Sequence, residues 1–369
     1  MHFGNLTDTS MALRSSGRTD HEMQQIQMET TGIGIGVFGA GYWGPNHVRA
    51  IEQLPGGRVA CVCDQDTRKL DKISALYPHV TTHSSVEQAL ADPSVRGVVI
   101  ALPVSQHFAV AMQALEAGKH VLVEKPLASS SGECLELMEK ADSAGLVLMV
   151  GHIFLYNMAL RRIKDYIVAG DLGTLFNICS QRLNLGMIRR DVDSLWNLAP
   201  HDISMISYLL DGRSPKYVSA RGFCHLGNAK MSDFSYLTLE YEEEMMAHVM
   251  CSWLHPEKVR KMTIAGSRKM IVYDDVSVDA KVQIYDKGVD NWDEYSDYGE
   301  FALKVRSGDL LVPRVDMAEP LKLELQDFID AIEKGTNPVA SGASGLQTVR
   351  ILELATESMH DGGRRIAFE

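Results

Sequence analysis

The chain has 369 residues, 45% of them hydrophobic and 23% charged, and a formal net charge of −12. That length exceeds what a single core usually serves and predicts two domains, while the acidic balance excludes a basic footprint for nucleic acid or an anionic membrane surface. No apolar run nears the roughly 20 residues of a membrane-spanning helix, so the expected partners are small molecules and further copies of the chain.

Residues 1–31 are polar, rich in Thr, Ser, Gln and Met, and lack the apolar core of a secretory signal. They read as a disordered tail, with Met28 as an alternative start. The six cysteines (Cys61, Cys63, Cys134, Cys179, Cys224 and Cys251) have no paired metal-ligand spacing such as CxxC. They read as reduced core residues of a cytoplasmic protein, with no metal site expected.

Gly34 to Phe38 has the composition of a short buried strand and runs into Gly39-Ala40-Gly41-Tyr42-Trp43-Gly44, followed by a helix-like stretch from Pro45 to Ile51. This is GxGxxG between a strand and a helix, the setting in which it binds a dinucleotide. The first glycine permits the turn, the second lets backbone approach a pyrophosphate, and the third lets helix lie close on strand. A second strand, Arg58 to Cys63, ends at Asp64, where a carboxylate would take the adenosine ribose hydroxyls. An acid there repels the extra phosphate of NADP and favours NAD; Arg68, one helical turn on, leaves NADP open.

A third strand, Gly97 to Leu102, breaks at Pro103 and leads through Ser105, Gln106 and His107 into a helix over 108–117. The turn after such a strand faces the cofactor in a doubly wound sheet. His120 to Val123 forms a fourth strand that delivers Glu124, Lys125 and Pro126 to the same edge, and residues 145–152 form a further one. Lysine at the end of a buried strand is costly without a task, which makes Lys125 the leading functional candidate. Strands alternating with helical segments predict a parallel sheet covered on both faces, over residues 32–152.

From about residue 153 the pattern changes. Residues 159–168 have helical periodicity ending at Gly170, and a strand follows over 175–180. Residues 191–210 read as a loop opening a helix, on which Asn197 and His201, four apart, share a face. Two hairpins are expected, 234–241 with 245–254 and 261–265 with 270–274, then a strand at 282–285. Without crossover helices between them, these predict an open, mainly antiparallel sheet, one face on helices and the other available to a second subunit. Both faces of the first hairpin carry large side chains, among them Tyr236, Met246 and Trp253. Residues 286–318 read as a long excursion, 320–334 and 345–358 as helices, and 365–368 as a last strand.

VFGAGYWG, the break at Leu102-Pro103 before His107, AGKHVLVEKPLA and the helix carrying His201 together resemble the glucose-fructose oxidoreductase, inositol dehydrogenase and MocA family. The resemblance covers nearly all of the chain after residue 32. It implies a Rossmann domain followed, over 153–369, by an α+β domain whose sheet forms dimers or tetramers. It also implies an NAD(P)-dependent oxidoreductase in which Lys125 lies between nicotinamide and substrate, commonly with a cis peptide before Pro126. GHIFLYNMALRRIKDYIVAGDLG and RRDVDSLWNLAPHDISMI further resemble members that modify nucleotide sugars, such as uronic acids derived from UDP-N-acetylglucosamine or deoxysugars. The expected cofactor contacts are Gly39, Gly41, Tyr42, Trp43, Gly44, Asp64, Arg68, Pro103, His107, Glu124 and Lys125. The expected catalytic group is Lys125, His201 and Asn197, with Tyr156, Asn157, Arg182 and Arg189 toward the substrate. The family more often has an aspartate where Asn197 stands, and asparagine can orient a hydroxyl without accepting its proton. A free-sugar or polyol dehydrogenase uses the same motifs, and a non-catalytic sensor of the same fold is the alternative outside enzymes.

Overall fold

The computed structural model describes residues 32–186, 188, 192–226, 231–290 and 304–369; the expected tail, Arg189 and parts of the 286–318 excursion lie outside them. Six strands form the first sheet: β1 (Ile33–Phe38), β2 (Gly57–Cys63), β3 (Thr81–His83), β4 (Gly97–Ile100), β5 (His120–Glu124) and β6 (Leu148–Gly151). All pair parallel, in the order β3-β2-β1-β4-β5-β6. β1, β4 and β6 are continuous apolar runs, as are the inner parts of β2 and β5, because helices cover both faces; the edge strand β3 is polar. Those helices are α1 (Gly44–Glu52), α2 (Thr67–Leu76), α3 (Val86–Ala91), α4 (Val104–Glu116) and α5 (Ser131–Ala144). The order reverses between β1 and β4, which opens a crevice beyond their carboxyl ends.

After β6 a 3-10 turn, Ile153–Tyr156, leads into α6 (Met158–Val168), β7 (Leu175–Leu183) and α7 (Ser194–Leu209). Six strands follow: β8 (Tyr217–Phe223), β9 (Phe234–Glu240), β10 (Met246–Ser252), β11 (Val259–Gly266), β12 (Met270–Asp274) and β13 (Val282–Asp290). The chain ends with β14 (Lys304–Leu311), α8 (Pro320–Lys334), α9 (Gly342–His360) and β15 (Ile366–Ala367). The second sheet runs β14-β13-β12-β11-β7-β10-β9-β8-β15. It is antiparallel except where β7 lies parallel to β10, because the connection leaving β7 crosses over through α7. Both hairpins form as expected. Three strands escape a reading by periodicity: β3 of the first sheet, and in the second β8 and β14, of which β14 lies in the expected excursion and pairs with β13.

Alternation of period two puts Val218, Leu237, Leu239, Val249, Met262, Ile264 and Ile271 in the core, with α7 and α9 packed against strands of this sheet. The other face carries Phe223, Tyr236 and Met246, all exposed, whereas Trp253 is buried. Helix α9 also packs on β6 and α5, and α8 packs on α1 and the 3-10 turn, so the end of the chain returns to the parallel sheet. Cys61, Cys63, Cys134 and Cys251 are buried as expected of core thiols, whereas Cys179 and Cys224 are exposed.

Candidate active site

Two cavities lie along the carboxyl edge of the parallel sheet. The first, about 680 Å3, is lined by Gly39, Gly41, Tyr42, Trp43, Asp64 and Pro103, together with Lys69 and Gln106. Gly39 has a φ of +99°, and a Cβ on it would lie 2.5 Å from the Ala101 carbonyl oxygen. A Cβ on Gly44 would lie 2.0 Å from the Gly39 carbonyl, so turn and helix meet only if that residue is glycine. A Cβ on Gly41 would meet nothing within 4 Å, so the backbone there faces open space. Helix α1 begins above this space without a side-chain cap. Its N–H groups and dipole suit a pyrophosphate.

Asp64 completes this half. Its Oδ2 accepts from the Ala40 N–H at 2.8 Å, its Oδ1 from the Asp66 N–H at 2.8 Å, and the Lys69 ammonium stands 3.1 Å from Oδ2. Burial pushes this carboxyl up, but the two N–H donors and Lys69 outweigh it and hold the pKa below its ordinary value. An ionised acid beside an open glycine turn has the chemistry to hold a ribose diol, so the residues fit a dinucleotide. Lys69, not Arg68, is the cation at this acid. Arg68 is turned away in an exposed ion pair with Asp66. They follow Asp64 by four and five residues, and spacing alone does not say which faces inward.

Glu124 ends β5 and Lys125 follows it. Glu124 accepts from the Lys125 N–H at 3.3 Å and contacts the fully buried His47 of α1 at 3.1 Å. The Lys125–Pro126 peptide is cis, as the resemblance implied. His107 is buried and does not line the cavity: its Nδ1 lies 2.8 Å from the Pro126 carbonyl and its Nε2 2.9 Å from that of Leu102. Burial lowers its pKa against those two oxygens. It ties the turn before Pro103 to the segment after Lys125, which is a positioning task.

The second cavity, about 150 Å3, is lined by Lys125, Asn197 and His201, the three expected catalytic residues, and by Arg182, Leu183, Asn184, Leu198, Lys258, Val259 and Arg260. Lys125 donates its ammonium to the Asn197 main-chain carbonyl at 3.0 Å. Pro200, inside α7, removes one backbone N–H from the turn that carries Asn197 and His201. The His201 ring stands edge-on to Phe154, centroids 5.0 Å apart. Burial lowers its pKa well below that of a free imidazole, and Lys125, Arg182, His152 and Arg260 add to the effect. At neutral pH it is therefore an unprotonated ring, able to accept a proton.

Arg182 is buried, with Nε 2.5 Å from Asp202 Oδ2 and Nη2 3.3 Å from Oδ1, while Ser180 donates to Oδ1 at 2.6 Å. Its guanidinium lies over Phe154, 4.6 Å from the ring centroid. Two other expected substrate contacts lie elsewhere. Tyr156 is wholly buried with its hydroxyl 2.6 Å from Asp327, and Asn157 caps α6 while donating to Tyr273 and Asp275. The helix start that made them conspicuous in sequence uses both as core and cap. Phe154, Lys258 and Arg260 went unnoticed because nothing local marks them: Phe154 reaches His201 from the 3-10 turn after β6, and Lys258 and Arg260 reach the cavity through the pairing of β11 with β7.

A larger cavity of about 840 Å3, bordered by α5, α7 and α9, shares no lining residue with either half. Among the described residues no helix is long and apolar enough to cross a membrane.

Comparison with known proteins agrees with the fold. Residues 33–152 match the model of the oxidoreductase family with an NAD-binding Rossmann fold, and residues 160–272 match the GFO/IDH/MocA C-terminal domain. The chain is 27% identical to UDP-N-acetylglucosamine 3-dehydrogenase of Acidithiobacillus ferrooxidans, over 84% of this chain and 92% of that one. It is 23% identical to the NADP-dependent scyllo-inositol 2-dehydrogenase IolW of Bacillus subtilis, over 88% and 92%. The crystal structure of the WlbA dehydrogenase of Bordetella pertussis, in complex with NADH and UDP-GlcNAcA, superposes with a TM-score of 0.74 at 21% identity, over 92% and 99%. With both halves of its fold matched, the chain belongs to the Gfo/Idh/MocA oxidoreductase family, whose members bind NAD in a Rossmann fold.

Proposed function

We propose that this NAD(P)-dependent sugar or polyol oxidoreductase acts on a ring hydroxyl, or on the ketone in the reverse direction, of a nucleotide-linked sugar. The class is a deoxysugar or a uronic acid related to UDP-N-acetylglucosamine. The observation that carries the reading is the convergence of Lys125, Asn197 and His201 on one small cavity beside the glycine turn. A bound nicotinamide supplies the hydride acceptor or donor. His201 takes the hydroxyl proton, for which a neutral imidazole is suited. Lys125 stabilises the developing oxyanion and fixes the substrate's angle of approach, and Asn197 orients the hydroxyl. Gly39, Gly41, Tyr42, Trp43, Gly44, Asp64 and Pro103 hold the dinucleotide, with Glu124 bracing the Lys125 backbone.

The relatives that act on UDP-N-acetylglucosamine or were crystallised with UDP-GlcNAcA support the nucleotide-linked class. The inositol dehydrogenase relative favours a second reading, a free polyol substrate. Thermal shift separates the two: stabilisation by UDP or dTDP alone, at concentrations where free sugars and inositols do nothing, is expected of the first. Stabilisation by inositols with none from either nucleotide would establish the second. We also infer a division near residue 152 between cofactor-binding and substrate-binding domains. Pairing of copies through the face with Phe223, Tyr236 and Met246, and a cytoplasmic site of action, complete the proposal.

A further inference from the structure

The small cavity is charged with one sign. Lys125, Arg182, Lys258 and Arg260 line it, and among the described residues no aspartate or glutamate does. Arg182 of β7 and Arg260 of β11 are directly opposed in the strand register. Like charges in that position repel, so the pair must be held from behind. Asp202 does this for Arg182, and Asp275 for Arg260, at 3.3 Å. Asp275 also takes the Tyr273 hydroxyl at 3.0 Å, with Lys281 3.9 Å away. Both guanidinium groups flank the Phe154 ring, at 4.6 and 5.9 Å from its centroid. The acids thus stand behind the cations, and the surface presented to the cavity is positive. Lys258 extends that surface from the entry of β11, at an exposed position.

Resting on the reading of this cavity as the sugar site, we propose that the substrate ring carries a carboxylate, seated against Lys258 and Arg260 across the cavity from Lys125 and His201. A carboxylate, and not the diphosphate of a nucleotide carrier, is the group that fits. The cavity holds little more than one small ring, at about 150 Å3, so an anion inside it lies within one ring's span of the reacting hydroxyl. Arginine offers a planar carboxylate two parallel donors, and lysine offers a point charge beside them. Burial is the main cause that keeps His201 from holding a proton, and the nearby cations add to it; the anion offsets that added part, so an acidic substrate improves its own general base. Neutral sugars of the same shape forgo both gains.

The test uses the full chain with NAD and two matched pairs: D-glucuronate with D-glucose, and UDP-glucuronate with UDP-glucose. Thermal shift reads binding and NADH formation reads turnover. The acid of at least one pair is expected to stabilise the protein more than its neutral partner and to have about tenfold or greater advantage in kcat/KM, weakening with salt. Arg260→Gln and Lys258→Met should each lower the acid-to-neutral ratio about fivefold or more. Lys258 is exposed, so its variant folds whatever becomes of the arginine. Acid and neutral members that bind alike, a ratio unmoved in both variants, a shift from the UDP-linked sugars irrespective of the carboxylate, or no shift from either acid would each overturn the proposal. Preferential binding of an acid without turnover would leave the carboxylate site standing and count against sugar oxidation at Lys125 and His201. Turnover of the neutral sugars alone would do the reverse.

Discussion

The two halves of the cleft are built from different materials. The glycine-turn half is made of backbone: a positive-φ glycine, a helix start and one acid, Asp64, whose partners Ala40, Asp66 and Lys69 are near neighbours in the chain or in the next strand. The His201 half is made of side-chain charges gathered from distant segments, with Arg182 on Asp202, Arg260 on Asp275 and Lys125 on the Asn197 carbonyl. A backbone-built site tolerates change everywhere except at its glycines. A site of opposed cations has its stability and its chemistry in the same residues, so substitutions there disturb both.

Lys125→Ala tests that contrast most severely. Turnover with a competent sugar is expected to fall about a thousandfold, in line with the loss of one preorganised charge at a developing oxyanion. The stabilisation conferred by NAD should stay within about twofold of the parent, because the glycine half is left whole. Near-parental turnover would remove Lys125 from the chemistry.

Asp202→Ala attacks the same half through its fold. The carboxylate is buried and takes Arg182 and Ser180, so its loss leaves a buried guanidinium without its acid. A cost of about 3–5 kcal/mol is expected, read from urea unfolding. A loss below about 1 kcal/mol would mean that water reaches Arg182 and that the pair is not a closed one.

The histidines of this half also predict an acid limb. Burial lowers the pKa of His152 to about 4, against an ordinary value of 6.5, with His201 shifted the same way. Above 6.5 both folded and unfolded chains are neutral there and the shift costs nothing. As pH falls the unfolded chain gains the proton first, so stability is lost progressively between 6.5 and about 4, by about 3 kcal/mol for His152 alone. Unfolding free energies of His152→Gln measured from pH 7 to 4.5 should show a shallower slope than the parent. Equal slopes would place the titration elsewhere.

The contrast between halves also explains what could be read from the chain alone. GxGxxG, Asp64 and the strand ending in Lys125 have fixed local spacings, and their geometry follows from a handful of residues. Asn197 and His201 were legible because one helix carries both. Arg260 and Lys258 were not: their role depends on β11 pairing antiparallel with β7, a register set by residues some 80 positions apart in sequence. Tyr156 and Asn157 misled for a related reason. A polar residue at the entry to a second domain looks like a contact until its partners, Asp327 and Asp275, are brought in from the far end of the chain.

A second buried acid is held differently from Asp202. Asp202 is fully partnered, whereas Glu324 of α8 is wholly buried with no hydrogen bond to either carboxylate oxygen among the described residues. Burial, with Glu124 and Asp327 nearby, raises its pKa well above 4.5. It is protonated in the fold over a range where the unfolded chain ionises, so its contribution is favourable below 4.5 and is lost as pH rises. Glu324→Met is therefore expected to stabilise the protein at pH 7 by about 1–3 kcal/mol, and to gain little at pH 4.5. Destabilisation at both pH values would show that this carboxyl has a partner it needs.

The smallest effect is expected where backbone dominates. The Lys69 ammonium bridges both oxygens of Asp64 and stands at the cavity wall, so it offsets the charge that would repel a 2′-phosphate. Removing it in Lys69→Ala leaves the carboxylate with its two N–H donors and more of its negative field. The ratio of kcat/KM for NAD over NADP should rise about three- to tenfold, mainly through a weaker KM for NADP, an energy near 1 kcal/mol as for other partly exposed pairs. Arg68→Ala, its exposed neighbour, should leave the ratio alone. If Arg68 moved the ratio and Lys69 did not, the side chain facing the ribose would be the one that spacing first suggested, and the inward turn of Lys69 would be incidental to the choice of cofactor.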